Sequence, residues 1–235
     1  MNKIKNAGEN TKKIRSRQKA LPSYTRGEEI FNMVTHIAGG ALGAAALAAC
    51  VITASLNDNV WGIVSGSVYG STVILLFTVS SVYHGLRAER PKRVFQIIDH
   101  CVIYVLIAGT YTPMLLNRYR EIYPADAWVI FSVIWGLAIL GIVLNAVDMH
   151  RFNVLSMICY LGMGWMAAFR FSRLAEVLGS TFIFLLVAGG VMYTAGVIFY
   201  IAGEKKKYMH SVFHLFVNAG SVLHSIAIAV YIMPY

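Results

Sequence analysis

The sequence predicts an all-α, polytopic membrane protein: a seven-transmembrane helix bundle with a cytosolic N-terminus and an external C-terminus. Three observations carry this expectation. Of 235 residues, 57% are hydrophobic and only 13% are charged, where a soluble domain would carry about a quarter charged residues. The charges gather in short clusters between apolar runs of roughly 20 residues, the length that crosses a bilayer as helix. Lysine and arginine also concentrate on alternate connections.

Taken in order, residues 1–27 read as a polar, cationic cytosolic segment ahead of a membrane domain at 28–235. No short apolar core leads to a cleavage site there, so the first span is expected to act as an uncleaved anchor. The spans run over residues 30–54, 60–83, 94–116, 127–147, 154–171, 178–202 and 208–232. Asn57-Asp58-Asn59 separates the first two, and the cationic stretch 87–93 separates the second from the third. Segments 117–126, 148–153, 173–176 and 203–207 supply the remaining polar breaks. Pro113, late in the third span, should kink it. Small-residue runs such as Gly39-Gly40-Ala41 and Gly189-Gly190 suit close helix packing in lipid. Cys50, Cys101 and Cys159 lie in apolar runs without a CxxC, so they read as packing residues rather than a disulfide framework.

Orientation follows from charge. The side that receives the N-terminus holds sixteen cations, among them Arg87, Arg90, Lys92, Arg93, Arg151 and Lys205–Lys207, whereas the other holds four, Arg118, Arg120, Arg170 and Arg173. Such an asymmetry places the cation-rich side in the cytosol. The net charge of +9 then suits anionic inner-leaflet lipids of a cell membrane, here a bacterial inner membrane. Nucleic acid is excluded as a partner, because no basic, aromatic-rich soluble domain is present.

Polar residues within the spans point to function, since ionisable groups in a bilayer are costly. His84 closes the second span, Asp99 lies early in the third, and His210 and His214 open the seventh. At 1.5 Å per residue all four fall within about 10 Å of the cytosolic edge, and His210 and His214 share a helix face. Three converging imidazoles can hold a transition metal and leave a fourth position open for water. Nitrogen ligands disfavour magnesium and calcium, and the lack of nearby thiolate disfavours copper(I). Zn2+ is the metal expected, although ligand type alone also admits iron or manganese. Asp99 is the expected base or orienter of a metal-bound water. Ser80, one turn before His84, is placed to steady a developing oxyanion or a ligand, its plain alternative being helix packing. Asn32 and His36 share a face with Glu28, while Glu28 and Glu29 suit the positive end of a helix dipole. His100 points away from Asp99, His224 reads as an interhelical hydrogen-bond partner, and His150 as a loop residue.

The ordered set Glu29-x-x-Asn32-x-x-Thr35-His36, Ser80-x-x-x-His84, Asp99 and His210-x-x-x-His214 resembles the progestin and adipoQ receptor (PAQR) family. Asp99-His100-Cys101-Val102-Ile103-Tyr104, Ala108-Gly109-Thr110-Tyr111-Thr112-Pro113 and Tyr160-Leu161-Gly162-Met163-Gly164-Trp165 resemble its bacterial hemolysin III branch. The resemblance covers residues 27–232. It implies seven spans, an internal N-terminus and an inner-leaflet zinc on His84, His210 and His214. It also implies Asp99 beside the zinc-bound water, with Ser80 nearby. Alkaline ceramidases are similar in residue set, so the expected function is zinc-dependent intramembrane hydrolysis of a lipid amide or ester, with a membrane lipid as substrate or ligand. The alternatives are a non-enzymatic sensor or receptor, or a cytolytic protein, with a structural zinc. A transporter is disfavoured by the lack of a repeat or broken-helix pair.

The charge partition yields a test. Reporter fusions should place the N-terminus and the Lys205–Lys207 connection in the cytosol and Tyr235 outside; both termini on one side would remove the seven-span reading.

Overall fold

A computed structural model describes residues 21–203 and 205–235; most of the cationic N-terminal segment, residues 1–20, lies outside the described residues. Those described are helical throughout, without strands. The helices are α1 (Arg26–Leu56), α2 (Val60–Gly85), α3 (Glu89–Met114), α4 (Pro124–Gly164), α5 (Phe171–Leu178), α6 (Ser180–Gly203) and α7 (Met209–Tyr231). Six of these segments, α3 counted with its extension to Ile122 and α4 with its extension to Leu178, are long and apolar enough to cross a membrane.

Each boundary has a local cause. Thr25 begins α1 with a capping box: its hydroxyl accepts from the Glu28 amide while the Glu28 carboxylate accepts from the Thr25 amide, satisfying two orphan donors of the first turn. Asn59 caps α2 through the Gly62 amide at 2.7 Å. Near the end of α3, Pro113 disturbs the ladder, which relaxes into a π-turn at Leu115–Tyr119, with Asn117 outside helical geometry. The Asn117 side chain compensates by donating to the Pro113 carbonyl at 2.8 Å. Gly179, at φ +86°, supplies the left-handed residue that turns α5 into α6.

The 41 residues of α4 would form a rod of about 62 Å, roughly twice a hydrocarbon core. They do not. The backbone leaves helical geometry at Asp148 (φ −159°, ψ 86°), and the Asp148 carboxylate accepts from the Arg151 amide at 3.0 Å. Beyond this point the chain doubles back, because Asn145 reaches Ser156 at 2.6 Å and Tyr160 at 3.1 Å. Residues so separated on a straight helix would stand about 16 and 22 Å apart. The second arm ends as α-helix at Gly164 and tightens into a 3₁₀ turn, Met166–Arg170, so the run expected over 154–171 is not one uniform helix.

α1 packs on α2, α2 on α3, α3 on α4 and α6 on α7, the short α5 packs on α6, and α7 returns against α1 to close a ring. Large apolar side chains such as Ile139, Val147, Ile158, Phe184 and Ile198 face outward. That would be an aggregation hazard in water, and it suits lipid. Where helices approach most closely, glycine is required: a Cβ on Gly141 would stand 2.2 Å from the buried Tyr104 ring, whereas one on Gly162 meets nothing within 4 Å. Gly141→Ala should therefore lower stability by about 1–3 kcal/mol through overpacking, and Gly162→Ala should not, as read from thermal unfolding in one detergent.

Candidate metal centre

The polar residues converge at one end of the ring. Ser80 and His84 lie one turn apart on the last turns of α2, and His210 and His214 on the first turns of α7. Lys92, Gln96 and Asp99 share one face of α3 by their spacing. One ring nitrogen from each of His84, His210 and His214 lies within 4.8 Å of the others, and all three residues are buried. The Nε2 atoms of His210 and His214 face each other at 3.1 Å. In a tetrahedral zinc site, bonds of 2.0–2.1 Å separate ligand nitrogens by about 3.4 Å.

His84 is oriented from behind. Its Nδ1 stands 2.6 Å from Glu29 Oε2; a carboxylate only accepts, so Nδ1 carries the proton and Nε2 holds the free lone pair. That Nε2 is buried without a hydrogen-bond partner, an arrangement that is costly unless a metal or proton satisfies it. Glu29 Oε1 in turn accepts from Lys92 Nζ at 2.6 Å, and the same ammonium donates to Leu86 O at 3.2 Å. Lys92 is thus bound to α1 and to the end of α2. Neighbouring Glu28 accepts from the Tyr208 amide at 2.6 Å, fixing the start of α7 against α1. Three imidazole nitrogens converge, one of them orphaned on a ring braced by a carboxylate, so the donor set fits a divalent transition ion.

A cavity of about 220 Å³ adjoins the cluster, bordered by Ser80, Asp99, His210 and His214 and by a long apolar wall. Asp99 is within hydrogen-bonding reach of the Ser80 hydroxyl, and both border this space along with His210 and His214. Tyr24, in the strand of chain before α1, stacks on His210 with ring centroids 4.9 Å apart and also borders the cavity. Burial pushes its hydroxyl well above the ordinary phenol range, so it remains a hydrogen-bond donor. His36 stacks on His214 at 3.7 Å, and neither His36 nor Asn32 finds a side-chain hydrogen-bond partner. Helical spacing grouped His36 with Asn32 and Glu28 as a second polar set and gave no hint of this stacking.

The other histidines sort themselves by their bonds. His100 is held by Gln96 O at 2.8 Å and Tyr200 at 3.3 Å, His150 is exposed at the Asp148 turn, and His224 donates across to α6. Sequence reasoning read Glu29 as a helix-dipole partner and as part of the family-like pattern, counted Lys92 only among the cytosolic cations, and passed over Tyr24. A fixed separation along the chain does not reveal a carboxylate that bridges three helices.

A family model described as "Haemolysin-III related" matches residues 24–225. The chain belongs to this family. Hemolysin-3 of Bacillus cereus is 37% identical over 207 residues, covering 88% of this chain and 93% of the relative. The Hemolysin-3 homolog of Bacillus subtilis (strain 168) is 37% identical over 198 residues, covering 84% and 91%. Human monocyte to macrophage differentiation factor is 28% identical over 182 residues, covering 75% and 74%. As a haemolysin-III-related chain with six apolar helices among its described residues, this is an integral, multi-pass membrane protein.

The Glu29–His84 bond makes a prediction about metal retention. Glu29→Gln should weaken the binding of a divalent transition ion by about 10–100-fold, the usual cost of losing a partner behind a ligating histidine. Chelator competition measures it, and unchanged affinity would remove the orienting role of Glu29.

Proposed function

We propose that the protein is a zinc-dependent intramembrane hydrolase of lipid amide or ester bonds. The observation that carries this reading is a buried three-histidine set, two of whose members, His210 and His214, border an apolar cavity that Asp99 and Ser80 also line. Zinc bound there would supply Lewis acidity and a water whose pKa is lowered to about 7. His84, His210 and His214 would hold the ion. Asp99 would take a proton from the attacking water on its carboxylate and return it to the leaving nitrogen or oxygen as the carbonyl carbon–heteroatom bond breaks. The Ser80 hydroxyl would orient that carboxylate or donate to the carbonyl oxygen. The cavity wall would hold the acyl chain and keep bulk water away.

The topology belongs to the same reading. Counting both arms of α4 gives seven crossings, which the reversal at Asp148 supports. A cytosolic N-terminus would put the histidine end in the inner leaflet, with the exposed Lys205–Lys207 at the level of anionic headgroups.

A second reading, membrane damage, draws on the name of the Bacillus relatives, Hemolysin-3. A non-enzymatic sensor with a structural metal is the remaining alternative; the Asp99 variant separates both from hydrolysis.

Purified protein should carry one zinc per chain, and His210→Ala/His214→Ala should lose it together with thermal stability. Asp99→Asn should keep zinc and lose at least about a hundredfold in turnover of a ceramide-like or acyl-lipid substrate, as expected for a general base. Loss of zinc from Asp99→Asn would make the aspartate a ligand, and absence of turnover across a lipid panel would favour the non-enzymatic readings.

A further inference from the structure

The same cavity reaches His224, ten residues beyond His214 on α7 and therefore about 15 Å further into the membrane. His224 is 9% exposed, and its ring is seated by a glycine: a Cβ on Gly189 would stand 2.3 Å from Cδ2 and 2.4 Å from Nε2. The Nε2–Cδ2 edge is thus pressed against α6. There Nε2 lies 3.0 Å from Leu186 O, and because a carbonyl only accepts, Nε2 carries the proton. The opposite nitrogen, Nδ1, is a lone-pair acceptor turned away from α6, with no hydrogen-bond partner among the described residues.

The polar groups at hand do not satisfy it. Tyr193, whose ring stands 5.4 Å from that of His224, pairs its hydroxyl with Ser221 at 2.8 Å. Of the other hydroxyls that border the cavity, Thr110 donates to Leu106 O and Thr194 to Gly190 O, each at 2.8 Å, while that of Tyr111 donates to Met163 O at 2.9 Å. These hydroxyl protons are committed to backbone carbonyls. What this stretch of the cavity offers is acceptors, set in hydrocarbon surroundings where an unmet acceptor is expensive. A ligand that meets it must bring a donor; a plain acyl chain, an ester or a carboxylate does not.

We propose that His224 is a second recognition point of the cavity, selecting a lipid with a hydroxyl or amide N–H about 15 Å along its tail from the group held at the histidine cluster. This rests on the reading of the cavity as a lipid site, but not on hydrolysis. It assigns His224 to substrate or ligand choice and the histidine cluster to the reacting end.

The experiment compares oleic acid with ricinoleic acid, which differs by one mid-chain hydroxyl, for binding to the full chain in detergent by competition native mass spectrometry. One hydrogen bond should make ricinoleic acid bind about three- to tenfold more tightly, and ricinoleic acid O-methylated at that hydroxyl should fall back to the level of oleic acid. His224→Gln retains an amide N–H for Leu186 O but carries its acceptor, Oε1, on the same carbon as that N–H and so away from the Nδ1 position. It should bring the two acids to nearly equal affinity. Equal binding of both acids to the natural protein, or a preference that survives O-methylation, would overturn the selection while leaving the lipid site standing. Binding of neither acid would remove the lipid reading and this proposal together. The O-methyl comparison needs no variant, so a His224→Gln chain that failed to fold would not shelter the idea.

Discussion

Two adjacent carboxylates at the start of α1 hold together the four helices around the histidine cluster. Glu28 binds the Tyr208 amide that leads into α7, and Glu29 binds His84 of α2 and Lys92 of α3. Carboxylates buried at a membrane boundary are tolerable only when such partners satisfy them. The same bonds that lower the cost of burying them set the spacing of the helices. If α7 shifted by one turn, His210 and His214 would leave the level of His84. The positions of the three imidazoles are thus a consequence of how the ring is closed at its histidine end.

The opposite end is fastened by a different set. Asp126 accepts from Tyr119 at 2.5 Å, Arg170 at 2.8 Å and Arg173 at 2.9 Å, and Asn117 joins Asn59 and Ser65. Between the two fastened ends lies the cavity, walled by helices whose outer faces are apolar. Fastened ends and an apolar, hollow middle are the features on which the proposed lipid site rests.

Much of this was legible in the sequence, for physical reasons. Charge clusters and apolar run lengths marked the helices, and the polar residues of 148–153 marked a break in what the backbone makes a 41-residue stretch with a reversal at Asp148. Depth along a helix is fixed by rise per residue, so His84, Asp99, His210 and His214 could be put at one level before any coordinates. Rotation about the ring and the identity of neighbours are not fixed by rise. That is why the Glu29–Lys92 pair, the stacking of His36 on His214 and the approach of Tyr24 to His210 appear only in three dimensions. Pro113 signalled a disturbance, but not that Asn117 would repair it with its own side chain.

The four cations of the end remote from the histidines are all engaged. Arg170 and Arg173 share the Asp126 carboxylate, while Arg118 lies over the Tyr235 ring and Arg120 over that of Trp61. The molecule is therefore more strongly polarised than a tally of residues suggests. One end has its positive charge neutralised by a carboxylate or turned onto aromatic faces, and the other displays Lys205, Lys206 and Lys207 to solvent. A bilayer with phosphate on both faces meets a protein with an electrostatically quiet pole and an active one.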